Sequence, residues 1–225
     1  MLQFKTVSKI YTHRSTVRAL DEVSLHIQKG EFTALVGPSG SGKTTFLVTA
    51  GAMMKPTSGE ILFDGKPLYR RSVNALSHLR RKQIGFLFQT FNLIPYLNAL
   101  ENVMAPLLIN GADSAQQRLR ATELLTRVGL EDRLDHKPNE LSVGQIQRVT
   151  LARMLANDPD FILADEPTGN LDPETAENVL SFLRDLSVNE GKTIVMVTHS
   201  PQAASKASRI LHCHDGKITE ETPPN

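Results

Sequence analysis

The chain of 225 residues is poor in several features that define other classes of protein. It has one cysteine, Cys213, so neither an internal disulfide nor a cysteine zinc cluster can form, and a reducing, cytosolic setting is the default. Its 25 basic and 24 acidic residues nearly cancel, which argues against electrostatic binding of nucleic acid. No uninterrupted apolar run approaches the ~18 residues of a membrane span, so any membrane function needs a second chain that supplies the span.

The chain does have enough apolar sequence for a folded core. Apolar residues make up 40% and charged residues 22% of the sequence, a balance typical of globular domains rather than disordered chains. At ~150 residues per domain, the length corresponds to one compact domain with an insertion or a small additional lobe. We therefore expect 1–225 to form a single domain.

Short apolar strands alternate with helices in the first and last parts of the chain. This alternation is typical of a mostly parallel sheet with helical crossovers and predicts an α/β fold. We predict β-structure over 1–36, with Phe32–Val36 as a buried strand, and further strands at 61–63, 84–88, 161–164, 193–197 and 209–213. We predict helices at 44–54, Ala99–Ile109, 114–128, 143–156 and Pro173–Val188.

The strongest local signal is the octapeptide at 37–44, Gly-Pro-Ser-Gly-Ser-Gly-Lys-Thr, which fills every fixed position of G-x-x-x-x-G-K-[ST]. It follows a predicted buried strand and opens a predicted helix, as phosphate binding requires. The glycines let consecutive backbone N–H groups point at a phosphate, Lys43 can reach the β- and γ-groups, and the Thr44 hydroxyl can bind Mg²⁺. The residues predicted to contact a nucleoside triphosphate here are Ser39, Gly40, Ser41, Gly42, Lys43, Thr44 and Thr45.

Two carboxylates follow the predicted strand at 161–164. Ligands of parallel sheets bind at the carboxyl ends of the strands, so Asp165 is expected beside the phosphate loop, where it can hold Mg²⁺. Glu166, one residue further, can then accept a proton from the attacking water or orient it. The sequence therefore predicts a nucleoside triphosphate hydrolase.

Further short segments occur in a fixed order around these two motifs. Tyr11 precedes the phosphate loop, Gln89 follows the strand at 84–88, and Leu-Ser-Val-Gly-Gln occupies 141–145. Gly-Asn-Leu-Asp follows Glu166 at 169–172, and Thr-His ends the strand at 193–197. In this order and spacing the chain closely resembles the nucleotide-binding subunits of ATP-binding cassette transporters. It is most similar to the branch of lipoprotein-releasing, macrolide-export and cell-division ATPases.

The resemblance assigns roles to residues that bind the nucleotide. It implies that Tyr11 stacks on adenine, with Val17 packed nearby. The stretch at 141–145 corresponds to the family's signature motif, and Ser142, Gly144 and Gln145 are expected to contact ATP held by the opposite subunit. From the residues themselves, Ser142 is a good N-cap for the predicted helix at 143–156, which would present N–H groups to an anion.

The resemblance also assigns residues to catalysis and to the dimer interface. Gln89 is expected to approach Mg²⁺ and the reacting water and to couple the site to a membrane partner. His199 is expected to reach the γ-phosphate and to position Glu166. Asp172 corresponds to an aspartate near the subunit interface. The metal set implied is therefore Thr44, Gln89 and Asp165.

The chain departs from the family pattern at Val143, where glycine is usual. A β-branched residue does not readily take a positive φ, so the backbone at this position must be ordinary. Gly144 is retained, and ATP binding is therefore still expected.

Three other patterns have plainer interpretations. His212 and His214 share a strand face and resemble a metal chelate, but a solvated face is favoured. The basic residues between Arg70 and Lys82 fit a solvated surface, since the net charge is close to zero. The apolar cluster at 91–97 fits core burial, or part of the groove that receives the membrane subunit in the resembled family.

Taken together, the sequence predicts an α/β fold: a P-loop NTPase core with a mostly parallel sheet, an antiparallel β part near the N-terminus and an inserted helical subdomain. We expect the core at 1–89 and 158–225 and the helical subdomain at 90–157. The expected function is a homodimeric ATPase, using ATP and Mg²⁺, that drives a separate membrane permease for export. We expect it at the cytoplasmic face of the inner membrane. The alternative is a cassette ATPase that regulates a membrane partner mechanically, as in cell division.

Overall fold

A computed structural model describes residues 1–12, 16–111 and 113–220. Its strands are β1 (Leu2–Thr12), β2 (Thr16–Ile27), β3 (Phe32–Val36), β4 (Ser58–Phe63), β5 (Lys66–Pro67), β6 (Ile84–Leu87), β7 (Phe161–Asp165), β8 (Thr193–Thr198), β9 (Arg209–His214) and β10 (Lys217–Glu220). Its α-helices are α1 (Lys43–Ala50), α2 (Val73–Gln83), α3 (Ala99–Ile109), α4 (Ser114–Arg127), α5 (Val143–Leu155), α6 (Pro173–Val188) and α7 (Pro201–Ala204). Two 3₁₀ turns, Glu131–Arg133 and Pro138–Glu140, connect α4 to α5.

A six-stranded sheet forms the centre of the structure, in the order β10-β9-β3-β8-β7-β6. All its neighbouring pairs are parallel except β10 and β9. Alternate side chains of β3 enter two different apolar clusters, Ala34 in one and Leu35 in the other. Both faces of the sheet are therefore covered, which explains why its central strands are mostly apolar on both sides.

A second, antiparallel sheet has the order β2-β1-β4-β5 and covers α1 from the other side. The ring of Phe4 on β1 stacks on Phe46 of α1 with 4.7 Å between centroids. The ring of Phe63 on β4 meets Phe161 of β7 edge-on at 5.9 Å. The helix α1, and with it the preceding loop, is therefore held between the two sheets.

The helices α3, α4 and α5 lie between β6 and β7 in the chain and share the first apolar cluster with α6. Their starts are set by N-caps: the Asn98 side chain accepts from the backbone N–H of Glu101 at 2.8 Å, and Asp113 caps α4. Within the described ranges, no helix combines the length and the apolar character needed to cross a bilayer.

The expected α/β class, with its antiparallel part and its mostly parallel sheet, is confirmed. The predicted helix at 44–54 was too long, since α1 ends at Ala50 and Gly51 is its C-cap. Gly51 also packs closely on the Phe86 ring, where a Cβ would lie at 2.7 Å. The elements α2, α7 and β10 were not predicted. The helix α2 buries only Leu79, and β10 pairs at a sheet edge, so neither has a strong apolar pattern.

Candidate nucleotide-binding site

The loop at 37–42 joins β3 to α1 and depends on glycine at two close contacts. A Cβ on Gly37 would lie 2.1 Å from the carbonyl oxygen of Cys213. Gly42, which precedes α1, has φ 113°, and a Cβ there would lie 2.1 Å from the carbonyl oxygen of Ala19. Only glycine fits at these positions, so the loop packs closely against the backbone of β9 and β2. The absence of side chains there leaves the loop backbone accessible to a ligand.

Lys43 is the first residue of α1 and is nearly buried, with 9% of its surface exposed. Its Nζ donates to the carbonyl oxygens of Gly37 at 2.7 Å and Pro38 at 2.8 Å. The ammonium is thus folded back on its own loop, at the N-terminus of a helix. A phosphate entering here would find a positive group and the free N–H groups of the first helical turn.

A cleft of about 370 Å³ opens above this loop, at the carboxyl ends of the parallel strands. It is lined by residues that come from the loop and from the ends of β6, β7 and β8. Among them are Ser39, Gly40, Gly42, Lys43, Thr44, Thr45, Gln89, Asp165, Glu166 and His199. The structure therefore brings together ten of the residues that the sequence singled out. Ser41 is buried, and its carbonyl oxygen accepts from the backbone N–H of Gly216 at 2.9 Å.

The two carboxylates at the end of β7 lie in different environments. Burial raises the pKa of Asp165, the neighbouring charge of Glu166 raises it further, and the Lys43 ammonium opposes both effects. A site that disfavours its own negative charge in this way gains from a bound cation. Asp165 is thus the strongest candidate for a metal ligand here, with the exposed Thr44 hydroxyl in the same cleft.

Glu166 is held in place from the end of β8. Its carboxylate accepts from the Thr198 hydroxyl at 3.2 Å through Oε2, and Nδ1 of His199 lies 2.8 Å from Oε1. Its backbone has φ 46°, a left-handed conformation that is uncommon for a side chain of this size. The orientation of the carboxylate is therefore fixed by its contacts with Thr198 and His199. No role was assigned to Thr198 from the sequence. A hydroxyl at the end of a parallel strand, beside the predicted acidic pair, is the sequence feature that could have pointed to it.

Gln89 follows β6 and lines the same cleft. Its Nε2 would lie 3.2 Å from a Cβ on Gly169, and its carbonyl oxygen accepts from Nδ2 of Asn170 at 3.4 Å. The segment after Glu166 is thus packed against the segment after β6.

The predicted signature residues lie in a different place. Ser142 caps α5 by accepting from the backbone N–H of Gln145 at 3.3 Å, and the Gln145 side chain accepts from the Ser142 N–H at 2.9 Å. Val143 is half exposed at the first position of α5, in an ordinary helical conformation as its β-branch requires. A Cβ on Gly144 would lie 3.3 Å from the Thr175 side chain.

Asp172 stands beside them as the N-cap of α6. It accepts from the backbone N–H of Thr175 at 3.0 Å, and hydrogen bonding to Thr175 holds its pKa below the ordinary value. Ser142, Val143, Gly144 and Asp172 line a second groove that shares no lining residue with the cleft of Lys43. Within one chain, then, the two halves of the predicted ATP site are separate.

Tyr11 and Val17 face each other across the β1–β2 pairing, on either side of residues that lie outside the described ranges. The Tyr11 hydroxyl donates to Sδ of Met54 at 2.9 Å, and Nζ of Lys9 lies 5.4 Å from the ring centroid. Val17 is about half exposed. Neither residue lines the cleft of Lys43 in this structure.

The structure also places the three remaining sequence patterns: the histidines at the end of β9, the basic segment at 70–82 and the apolar cluster at 91–97. His214 is exposed and pairs with Asp215 at 3.2 Å, and the described part of the chain contains no group of three or more potential metal-binding side chains. In the basic segment, Arg80 donates to the carbonyl oxygen of Ala52 at 2.8 Å. In the apolar cluster at 91–97, Tyr96 is 73% exposed.

A parallel sheet with a phosphate loop and a strand-end acidic pair defines a P-loop nucleotide-binding domain. Residues 20–169 match the family described as ABC transporter. The chain belongs to the ABC transporter family and is its ATP-binding, ATP-hydrolysing domain. The predicted family, fold class and enzymatic activity are thereby confirmed.

Relatives and solved structures agree with this assignment. An uncharacterised ABC transporter ATP-binding protein of Thermotoga maritima is 46% identical, over 97% of this chain and 93% of that protein. The macrolide export ATP-binding/permease protein MacB of Syntrophobacter fumaroxidans is 44% identical over 99% of this chain, which spans only 32% of that longer protein. A dimeric, post-hydrolysis structure of the cassette MJ0796 of Methanocaldococcus jannaschii, bound to ADP and Pi, is 43% identical with a TM-score of 0.91, over 100% of both chains.

Proposed function

We propose that two copies of this chain form a head-to-tail dimer that binds two ATP molecules between them. The observation that carries this proposal is the separation of the two lined grooves. Lys43 and Glu166 line one, whereas Ser142 and Gly144 line the other, so one chain supplies two half-sites and completes neither. A second copy turned head to tail would set the Ser142 half against the Lys43 half, twice. The structure of MJ0796 is dimeric and bound to ADP and Pi, which supports a nucleotide-bound dimer.

The chemistry proposed for each site is attack of water on the γ-phosphate. Lys43 would exchange the carbonyl oxygens of Gly37 and Pro38 for phosphate oxygens. Glu166 would take the water proton or orient the water, and His199 would fix the carboxylate that does so. The capped N-terminus of α5 from the other chain would face the phosphate with its free N–H groups.

We propose Asp165, Thr44 and Gln89 as the residues that hold Mg²⁺ together with the nucleotide. Oxygen ligands suit this ion, and the raised pKa of Asp165 reflects a place where a cation would relieve unfavourable charge. When bound, the ion would neutralise the charge that develops on the β- and γ-phosphate oxygens. Tyr11 is proposed to stack on the adenine ring, beside Val17.

The chain is also proposed to act with a membrane subunit, as a motor for export at the cytoplasmic face of the inner membrane. The likeness to MacB, whose name includes a permease, supports this assignment. A groove of about 270 Å³ between α2, β6, α3 and α5 is the proposed docking place for a short helix of that subunit. Ile109 at its edge is 62% exposed, and Phe86 and Pro106 line its wall.

We also propose that the helical subdomain extends over 90–157, within a core formed by 1–89 and 158–225. The three helices α3, α4 and α5 pack against one another between β6 and β7. This division would let the Ser142 half move relative to the Lys43 half.

The test of the motor is phosphate release by the purified chain with MgATP. Hydrolysis is expected in the parent chain and is expected to vanish in Lys43→Ala. Co-expression with a candidate membrane subunit then tests docking: Ile109→Asp should lose co-purification but keep hydrolysis. Leu119→Asp, a matched exposed leucine on α4, should keep both. Co-purification that survives Ile109→Asp would remove the groove from this role.

A further inference from the structure

The buried side chain of Gln147 joins two parts of the molecule that serve different ATP sites. Gln147 lies on α5, is 1% exposed, and donates from Nε2 to the carbonyl oxygen of Pro167 at 3.0 Å. Pro167 directly follows Glu166. A buried hydrogen bond thus ties the helix capped by Ser142 to the segment that carries the proposed hydrolytic carboxylate.

That segment is a tight turn with little freedom. The backbone N–H of Gly169 donates to the carbonyl oxygen of Glu166 at 3.1 Å, which closes the turn, and Pro167 at its second position fixes one of its dihedral angles. Glu166 itself has φ 46°, a conformation that persists only when its surroundings hold it. Gln147 is the side chain that holds the turn from the side of α5.

The helix connects this bond rigidly to the dimer face. Val143 and Gln147 are four residues apart, about one helical turn or ~6 Å along the axis. A movement of the exposed end of α5 therefore moves the Gln147 amide, and the amide moves the Pro167 carbonyl. Leaving the buried Pro167 carbonyl without a hydrogen-bond donor would cost free energy. The turn is therefore expected to move with the helix, so that this hydrogen bond is kept.

We propose that Gln147 is a positioning residue that couples the two ATP sites of the dimer, an inference that rests on the head-to-tail dimer proposed above. In that dimer α5 of one chain touches the partner's ATP, whereas Glu166 of the same chain acts on its own ATP. The bond between Gln147 and Pro167 transmits occupancy of the first site to the carboxylate of the second. Hydrolysis at one site then depends on ATP at the other.

The test compares Gln147→Met, which keeps the size of the side chain but has no donor, with Thr150→Val. Thr150 is equally buried on α5, but its hydroxyl donates to the carbonyl of Ile146 within the helix and does not touch the turn. Initial rates of hydrolysis are measured against ATP concentration with the full chain. The parent and Thr150→Val should give Hill coefficients approaching 2, the limit for two sites. Gln147→Met should give a coefficient clearly below both of these while it still hydrolyses ATP, since ATP-dependent dimerisation remains but the added link between the sites is lost.

A second variant covers the case in which Gln147→Met does not fold. Gln147→Asn keeps the amide but is one methylene shorter, so it should lose the Pro167 contact and show the same drop. Thermal melting confirms that each variant is folded. A parent coefficient of 1, or a folded Gln147 variant that keeps the parent's coefficient, overturns the coupling.

Light scattering of the Glu166→Gln chain with MgATP distinguishes failure of the proposed dimer from failure of the proposed role of Gln147. If no ATP-dependent dimer forms, the proposed dimer fails and the coupling fails with it. If the dimer forms but the coefficients do not change, only the role of Gln147 is lost.

Discussion

Nδ1 of His199 lies 2.8 Å from Oε1 of Glu166, so the histidine at the end of β8 orients the carboxylate at the end of β7. His199 is largely exposed to the cleft, whereas the Glu166 side chain is only 15% exposed. The accessible His199 ring thus holds the more enclosed Glu166 carboxylate in one orientation. In the proposed site, one ring nitrogen of His199 would contact Glu166 and the other would contact an incoming phosphate.

Replacing this ring should impair hydrolysis far more than ATP binding. In His199→Ala the carboxylate keeps the Thr198 hydroxyl but loses its second partner, so we expect kcat to fall by about 10²-fold, within the range of acid–base contributions. ATP affinity, measured by fluorescent nucleotide displacement, should change little. His214→Ala removes a histidine exposed at the end of β9 and should leave kcat unchanged. Equal kcat values for His199→Ala and the parent would remove the histidine from catalysis.

The unusual signature residue should be tolerated rather than required. Val143 is half exposed and makes no hydrogen bond through its side chain, so Val143→Gly lets the end of α5 approach a phosphate more closely. We expect turnover equal to the parent's or up to a few-fold faster, measured as phosphate release at saturating ATP. Val188→Gly, at the exposed last residue of α6, controls for the general effect of glycine at a helix end. A collapse of activity in Val143→Gly alone would mean that the valine contributes to the site.

The raised pKa of Asp165 predicts a dependence of stability on pH in the nucleotide-free protein. The folded state favours the protonated acid, so this group's contribution is fully present below its unfolded pKa of ~3.9 and is lost as pH rises through the raised folded pKa. Asp165→Asn should therefore melt at a higher temperature than the parent at neutral pH. The difference should shrink as the pH is lowered towards ~4.

The same variant should lose MgATP hydrolysis, so stability and activity move in opposite directions. Asp160→Asn is the control, because Asp160 is exposed at the other end of β7. It should shift neither quantity. A parent and an Asp165→Asn variant with the same melting profile across this pH range would contradict the assigned charge environment.

Elements with strong end signals could be predicted from the sequence to the residue. The helix α3 begins after the capping residue Asn98, and α6 begins at Pro173 after Asp172, so each start is marked by its own chemistry. The helix α2 was missed for the opposite reason. It is basic and mostly exposed, and it buries only Leu79, so its apolar period is too weak to detect.

The site could be predicted as a set of residues but not as a network. Motif order identified Lys43, Asp165, Glu166 and His199, and the strand-end rule for parallel sheets explains why they meet in one cleft. The contact of Gln147 with Pro167 could not be foreseen, because the two residues are 20 positions apart and meet only through tertiary packing. Glutamine in an amphipathic helix carries no sequence signal for such a bond.

In the proposed dimer, ATP joins two copies through the loop of one chain and the helix capped by Ser142 of the other. The most direct measurement is the molar mass of Glu166→Gln by light scattering, with and without MgATP. We expect a shift from 24.8 kDa to twice that mass when ATP is added, with hydrolysis almost abolished. Adding Val143→Glu should block the dimer by placing a charge against the phosphate, whereas the matched Val188→Glu should not. A Glu166→Gln chain that binds MgATP and remains at 24.8 kDa would show that ATP does not join two copies.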